Sequence, residues 1–150
     1  MSDIHIVDFH KDMAAILTQL FRTFPRKTIL YVEDISGPDM PDEFGLHGDR
    51  HQACFGTMLW LAQSGYLWYE STISQEALDQ VTLTHMGFTL LNARATYAIE
   101  DDLSEELPPS VQAVQQTNVE HLRSALKSGS STELSRVIQS LMIQARHFRD

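Results

Sequence analysis

Positive charge is the scarcest ingredient of this sequence. Eleven Lys and Arg stand against 20 Asp and Glu, for a formal net charge of −9. Between His51 and Ala93 there is no Lys or Arg at all. Residues 1–50 hold five basic side chains (Lys11, Arg22, Arg26, Lys27 and Arg50) against nine acidic ones, and no other segment is net positive either. Affinity for nucleic acid comes chiefly from neutralising phosphates, so this balance opposes such a partner. Cysteine is nearly absent too. The lone Cys54 excludes an internal disulfide framework and leads us to expect a reducing, cytoplasmic setting. No apolar run approaches the roughly 20 residues that cross a bilayer, and no membrane partner is expected. The opening Met-Ser-Asp-Ile-His-Ile-Val-Asp lacks the basic start and apolar core of a secretory signal, so none is expected. Also missing are a Gly-rich phosphate loop, a G-x-S-x-G turn and a Cys/His pair with an evident orienting residue. The acidic pairs Asp42-Glu43, Asp101-Asp102 and Glu105-Glu106 are neighbours in loops, where carboxylates solvate the chain and do not form an opposed acid/base couple. Neither an enzyme nor a cofactor is expected.

What is present, at 43% hydrophobic over 150 residues, suffices for one domain or a small domain with an appendage. Met13, Ile16, Leu17, Leu20 and Phe24 fall at helical spacing, which predicts a helix from Phe9 to about Phe24, capped by Asp8 and stopped by Pro25. Thr28 to Ile35 is rich in β-branched and aromatic residues and reads as a strand. Ser36 to Gly48, with three glycines and two prolines, reads as a loop with at most one helical turn at Pro41 to Phe44. A central helix follows, capped by Asp49 and stopped at Gly65, with Cys54, Met58 and Leu61 facing the core. Tyr66 to Thr72 and the strand around Val81 and Leu83 read as a hairpin turning near Ser74 to Ala77, and the chain is expected to be helical again from Thr84 to about Ile99. The acidic stretch 100–109, ending on Pro108-Pro109, marks a boundary between a domain at 1–99 and a helical hairpin at 110–150. The first hairpin helix spans Ser110 to Lys127 with Val111, Val114, Asn118, Leu122 and Ala125 on one face, and Gly129 stops it. Ser130 and Glu133 form a capping box for the second, whose stripe is Leu134, Val137, Ile138, Leu141, Met142, Ala145 and Phe148.

The run Leu61-x-x-x-Gly65-Tyr66-Leu67 leading to Leu83-Thr84-x-x-Gly87-Phe88 resembles the passage of a winged helix-turn-helix recognition helix into its wing and out again. With the first helix and the strand at 28–35, the likeness covers approximately residues 8–95. The fold class expected is therefore α+β, a winged-helix-like core with a C-terminal helical hairpin. The resemblance implies a helix able to enter a major groove and a wing able to touch backbone. Its groove-facing positions here are Gln52, Phe55, Gly56, Leu59, Trp60 and Gln63, where base readout wants Arg, Lys, Asn or Gln. The wing brings Glu76 and Asp79 toward phosphate, and only Arg50 and His51 offer ordinary contacts.

Two functional readings follow. In the first, the winged helix is a scaffold for protein contacts through Phe55, Leu59, Trp60, Leu134, Ile138, Leu141 and Phe148, with a homodimer or another protein as partner. The dimer is favoured because the 110–127 helix offers too little apolar surface to cover the stripe. Phe55, Leu59 and Trp60 are expected to lie beneath the C-terminal helices or a partner. In the second, a dimeric transcriptional regulator contacts DNA through Arg22, Arg26, Lys27, Arg50, His51 and Gln52. An enzyme using the loop at 36–51 is the third and weakest. His47-x-Asp49-x-His51-x-x-Cys54 is the only cluster of metal-ligand types, and it reads as a helix cap, solvated histidines and a small core thiol, so no metal is expected.

Overall fold

A computed structural model describes residues 3–96, 108–110 and 116–148. The protein is α+β, with helices packed around a small antiparallel sheet. Helix α1 (Ile4–Thr23) starts at Ile4, ahead of the expected Phe9. Asp8 therefore lies inside the helix and does not cap it, and its carboxylate faces Arg50 (Oδ2 to Nε, 3.8 Å). The inner face of α1, from Met13 to Leu20, is buried throughout.

The expected strand at 28–35 divides in two. Strand β1 (Thr28–Tyr31) gives way to a short helix, α2 (Val32–Ser36). Glu33 and Asp34 fall in the first helical turn, where the backbone dipole favours carboxylates, and Gly37 at φ 89° ends the helix. This is why a β-rich composition failed to hold the strand. The loop 37–48 contains a turn at Glu43–Phe44 and no helix. Helix α3 (Asp49–Gln63) begins one position after Gly48, so Asp49 sits in its first turn and is not the cap. Gly65 at φ 88° ends it as the sequence required, because a side chain is strained in that conformation.

Strands β2 (Leu67–Trp68), β3 (Ser71–Ile73) and β4 (Ala77–Leu83) complete the sheet. β4 is central. It pairs with β1 along one edge (Thr28 with Val81, Leu30 with Leu78) and with β2 and β3 along the other (Leu67 with Leu83, Thr72 with Leu78). The β3–β4 turn places Ser74 and Gln75 at φ 46° and 61° without a glycine.

Thr84 caps helix α4 (His85–Asn92) by accepting from the Gly87 backbone N–H at 2.9 Å. The helix ends at Asn92; its expected extension through residues 97–99 lies outside the described residues, as do 100–107, Val111 and Val114. Helix α5 (Asn118–Ser128) has Thr117 as its cap, and Gly129 stops it in the left-handed conformation. Ser130 then caps helix α6 (Ser131–Ala145) by accepting from the Glu133 N–H at 3.2 Å, the capping pattern read from sequence, and a short turn of 3-10 helix (Arg146–Phe148) follows.

One core joins all these elements, running from Met13, Leu17 and Leu30 through Met58, Leu78 and Leu90 to Leu122, Ile138 and Leu141. Each such side chain contributes about 1.5–3 kcal/mol on burial. The α6 stripe lies against α1, α4 and α5 of its own chain. Residue Asn118, the polar member of the apolar α5 face, donates to the Leu90 carbonyl at 2.8 Å and to Gln144 Oε1 at 3.1 Å. Gln144 in turn donates to the Arg94 carbonyl at 3.0 Å, so the buried amides satisfy one another and tie the C-terminal helices to α4. Among the described residues no helix is long and apolar enough to cross a membrane.

Candidate functional site

The solvent side of α3 carries Gln52, Gly56, Trp60 and Gln63, as the helical phase demands once Cys54, Met58 and Leu61 face the core. Phe55 and Leu59 are half-buried and pack on the edge of the core. Trp60 stays 40% exposed within the chain, so the C-terminal helices do not cover it as one arm of the expectation had it. Its ring meets the edge of Phe9 instead, at 5.2 Å between centroids and 84° between planes. The three C-terminal members of the expected interaction face, Leu134, Ile138 and Leu141, are buried within the chain, and Phe148 is half-buried. The uncovered strip from which a dimer was argued therefore does not exist on α6.

The positions expected to meet DNA under the alternative are dispersed over the chain. Arg50 sends Nη1 and Nη2 to Asp12 Oδ2 and Oδ1 at 2.7 and 2.5 Å, and Asp12 is fully buried. The fork fixes the guanidinium and neutralises its charge against a buried carboxylate, which weakens its pull on phosphate. His51 is buried as well, its Nε2 2.9 Å from the Gln75 carbonyl in the β3–β4 turn, so it fastens the hairpin to α3. Gln52 donates to the His47 carbonyl at 2.7 Å. Lys27 lies over the Trp68 ring at 4.7 Å, and Arg22 and Arg26 are exposed. Arg22 is ten positions beyond Asp12 on α1, about 15 Å along the axis at 1.5 Å per residue, so these cations and Arg50 form no single patch.

The loop 37–48 carries what the sequence did not flag. Met40, Phe44 and Leu46 are 89%, 79% and 62% exposed. The loop is nevertheless built. Asp42 Oδ1 accepts from the backbone N–H of Phe44 and Leu46 at 2.8 and 2.9 Å, and the Asp42 N–H donates back to the Leu46 carbonyl at 2.9 Å. Phe44 and Leu46 are thus displayed on a hydrogen-bonded turn. The signal for this in the sequence is three large apolar residues in a Gly/Pro-rich segment with an Asp spaced to close a local turn.

At the root of the same loop, Asp39 joins His47 and His51. His47 Nδ1 is 2.6 Å from Asp39 Oδ2, His51 Nδ1 is 3.7 Å from it, and the two imidazole rings stack at 3.8 Å and 7°. The hydrogen bond from His47 is the main cause holding the Asp39 carboxyl below the usual carboxylate range, and the Gly48 N–H and the two imidazoles add to it against the cost of burial. The sequence motif named His47 and His51 but paired them with Asp49 and Cys54. Asp49 and Cys54 stand outside this group. Cys54 is buried, and that burial pushes its thiol up to about 12. His51 lies in the first turn of α3 and His47 just ahead of it in the loop, whereas Asp39 arrives through a loop closure that spacing does not reveal.

Comparison with protein-family models, with characterised proteins and with solved structures finds no match to this chain.

Proposed function

We propose that this chain is a winged-helix-like module that works through protein contacts and does not read duplex DNA. The element order supports the winged-helix part: helix, strand, short helix, long helix, then a hairpin whose last strand lies at the centre of the sheet. The observation that carries the functional part is the Arg50–Asp12 fork. It pairs the only Lys or Arg of α3 and its hairpin with a buried carboxylate, which offsets the charge they could turn toward phosphate. The exposed Met40, Phe44 and Leu46 supply a contact surface of the kind rare on isolated proteins. Asp42 and Glu43 lie among them, and residues 28–49 contain no Lys or Arg. The partner that fits is a protein with an apolar pocket ringed by basic side chains, for which the acidic rim would steer encounter.

Two measurements together test this. Fluorescence anisotropy with labelled duplexes should give no better than weak binding at physiological salt. An affinity capture should retain a partner on the wild-type chain and lose it on Phe44→Asp with Met40→Asp, both exposed positions whose substitution leaves the core intact. Tight duplex binding with a steep salt dependence would favour the DNA-binding regulator. Equal capture by wild type and variant would remove the loop from the contact.

A further inference from the structure

The buried end of the Asp39–His47–His51 group contains an atom with nothing to do. His51 is 3% exposed, and its Nδ1 makes no hydrogen bond. Its other nitrogen, Nε2, faces the Gln75 carbonyl at 2.9 Å. A carbonyl oxygen only accepts, so Nε2 carries the proton and Nδ1 of the neutral ring is a bare lone pair. That lone pair points toward Asp39 Oδ2, 3.7 Å away, where a second lone-pair donor can give it nothing. A cation between them would resolve the conflict. Charging His51 instead would set an imidazolium flat against the His47 ring at 3.8 Å, where His47 has its own hydrogen bond to the same carboxylate.

We propose that Asp39, His47 and His51 bind one divalent transition-metal ion of the zinc class, with water filling the remaining coordination. The three ligand atoms lie within 4.8 Å of one another. Tetrahedral zinc with bonds of about 2.0–2.1 Å spaces its ligands by about 3.3 Å. Ligation therefore asks the His47–Asp39 contact to open from 2.6 Å, the His51–Asp39 distance to shorten from 3.7 Å, and the stacked His47 ring to swing out of its parallel stack so that both imidazole lone pairs meet at the ion. Two imidazole nitrogens and one carboxylate oxygen suit zinc and its neighbours. Calcium and magnesium want oxygen ligands throughout, and this group has only one such side chain. The outer contacts are already those of a metal centre. His51 donates its far N–H to a backbone carbonyl, and Asp39 Oδ1 accepts from the Gly48 N–H at 3.2 Å, so both are oriented before any ion arrives. Asp39 and His47 bracket the segment bearing Met40, Phe44 and Leu46, so an ion here would fix both ends of that loop. The metal site does not depend on any protein partner.

The test uses the full chain stripped with a chelator and then freed of it. Zinc titrated against a chromophoric competitor should bind at one ion per chain with micromolar affinity or tighter. Cobalt should give visible absorption of a nitrogen- and oxygen-ligated ion. Asp39→Asn and His47→Ala, both at partly exposed positions, should fold in metal-free buffer by circular dichroism and bind zinc at least about 10-fold more weakly. His5→Ala, on the exposed start of α1, should bind as the wild type does. No saturable zinc binding by the wild-type chain overturns the site, as does equal affinity in the wild type and both ligand variants. Should either variant fail to fold, the cobalt spectrum of the wild type decides alone, and its absence overturns the site.

Discussion

Arg50 on α3 closes a two-pronged fork on Asp12 of α1, at 2.7 and 2.5 Å, and the carboxylate it holds is fully buried. The contact joins the two helices that flank the core at the end where the loop 37–48 returns. Its energetic weight lies in what is left if one partner goes. Removing Arg50 strands a charged carboxylate away from water, a cost of about 3–5 kcal/mol for a buried pair. Arg50→Met should therefore lower the urea midpoint strongly, whereas Arg50→Met with Asp12→Leu should recover most of the loss. If the single variant unfolds at the wild-type midpoint, the fork is an incidental surface contact.

His10 makes the fold sensitive to mild acid. Its Nδ1 is 2.8 Å from Ser135 Oγ, joining α1 to α6, and burial lowers its pKa from the ordinary 6.5. Above 6.5 the imidazole is neutral in both folded and unfolded chains and contributes no pH dependence. As pH falls below 6.5, the unfolded chain takes up the proton first, so stability declines until the lower folded-state value is reached. Denaturation midpoints should fall from pH 7.5 to pH 5.5, and His10→Gln should flatten that slope. An unchanged slope in the variant would assign the acid sensitivity to other groups.

The single thiol should be inert while the chain is folded. Burial is the first cause of the rise in the Cys54 pKa to about 12, with the nearby Asp12 carboxylate adding to it, and only the thiolate reacts. An aromatic disulfide reagent should label Cys54 slowly in native buffer and rapidly in denaturant. Fast native labelling would show that α1 and α3 open readily.

Much of this architecture is legible in the sequence, and the failures have physical causes. The α6 stripe, Gly65, Gly129 and the Ser130–Glu133 cap each rest on a local rule, a period of 3.6 or a backbone conformation, and tertiary context leaves such rules alone. The split at Val32 went unread because β-branched residues and an acidic helix start overlap there, and sheet pairing ends where the Val32 N–H reaches the Glu76 carbonyl. Arg50 read as a free cation because its partner Asp12 is 38 positions away, and no pattern rule spans that distance. Asp39 escaped because the loop 37–48 folds it back onto His47, a closure that neither helical nor strand spacing predicts. Helical phase placed Trp60 on the outer side of α3, but the Phe9 ring that packs on it comes from α1, 51 positions away, and no spacing rule reveals that contact.

The last expectation concerns the two glycines that look most alike on paper, both within helices. A Cβ on Gly87 would lie 2.1 Å from the Tyr66 carbonyl oxygen and 3.1 Å from its carbon. That carbonyl cannot retreat, because it accepts from the Thr84 N–H at 3.2 Å while Thr84 Oγ1 donates to the Gly65 carbonyl at 2.5 Å. Here α4 starts hard against the stop of α3, and only a residue without a side chain fits. Gly87→Ala should cost about 3 kcal/mol or more, as an overpacked backbone contact does. Gly56, on the exposed side of α3, has nothing within 4 Å of the same construction. Gly56→Ala should stabilise by about 0.5–1 kcal/mol through reduced backbone freedom in a helix interior. Thermal or urea unfolding of the two variants side by side distinguishes close approach from mere helix propensity. Equal effects would mean that α4 does not pack against the Gly65–Tyr66 backbone as described.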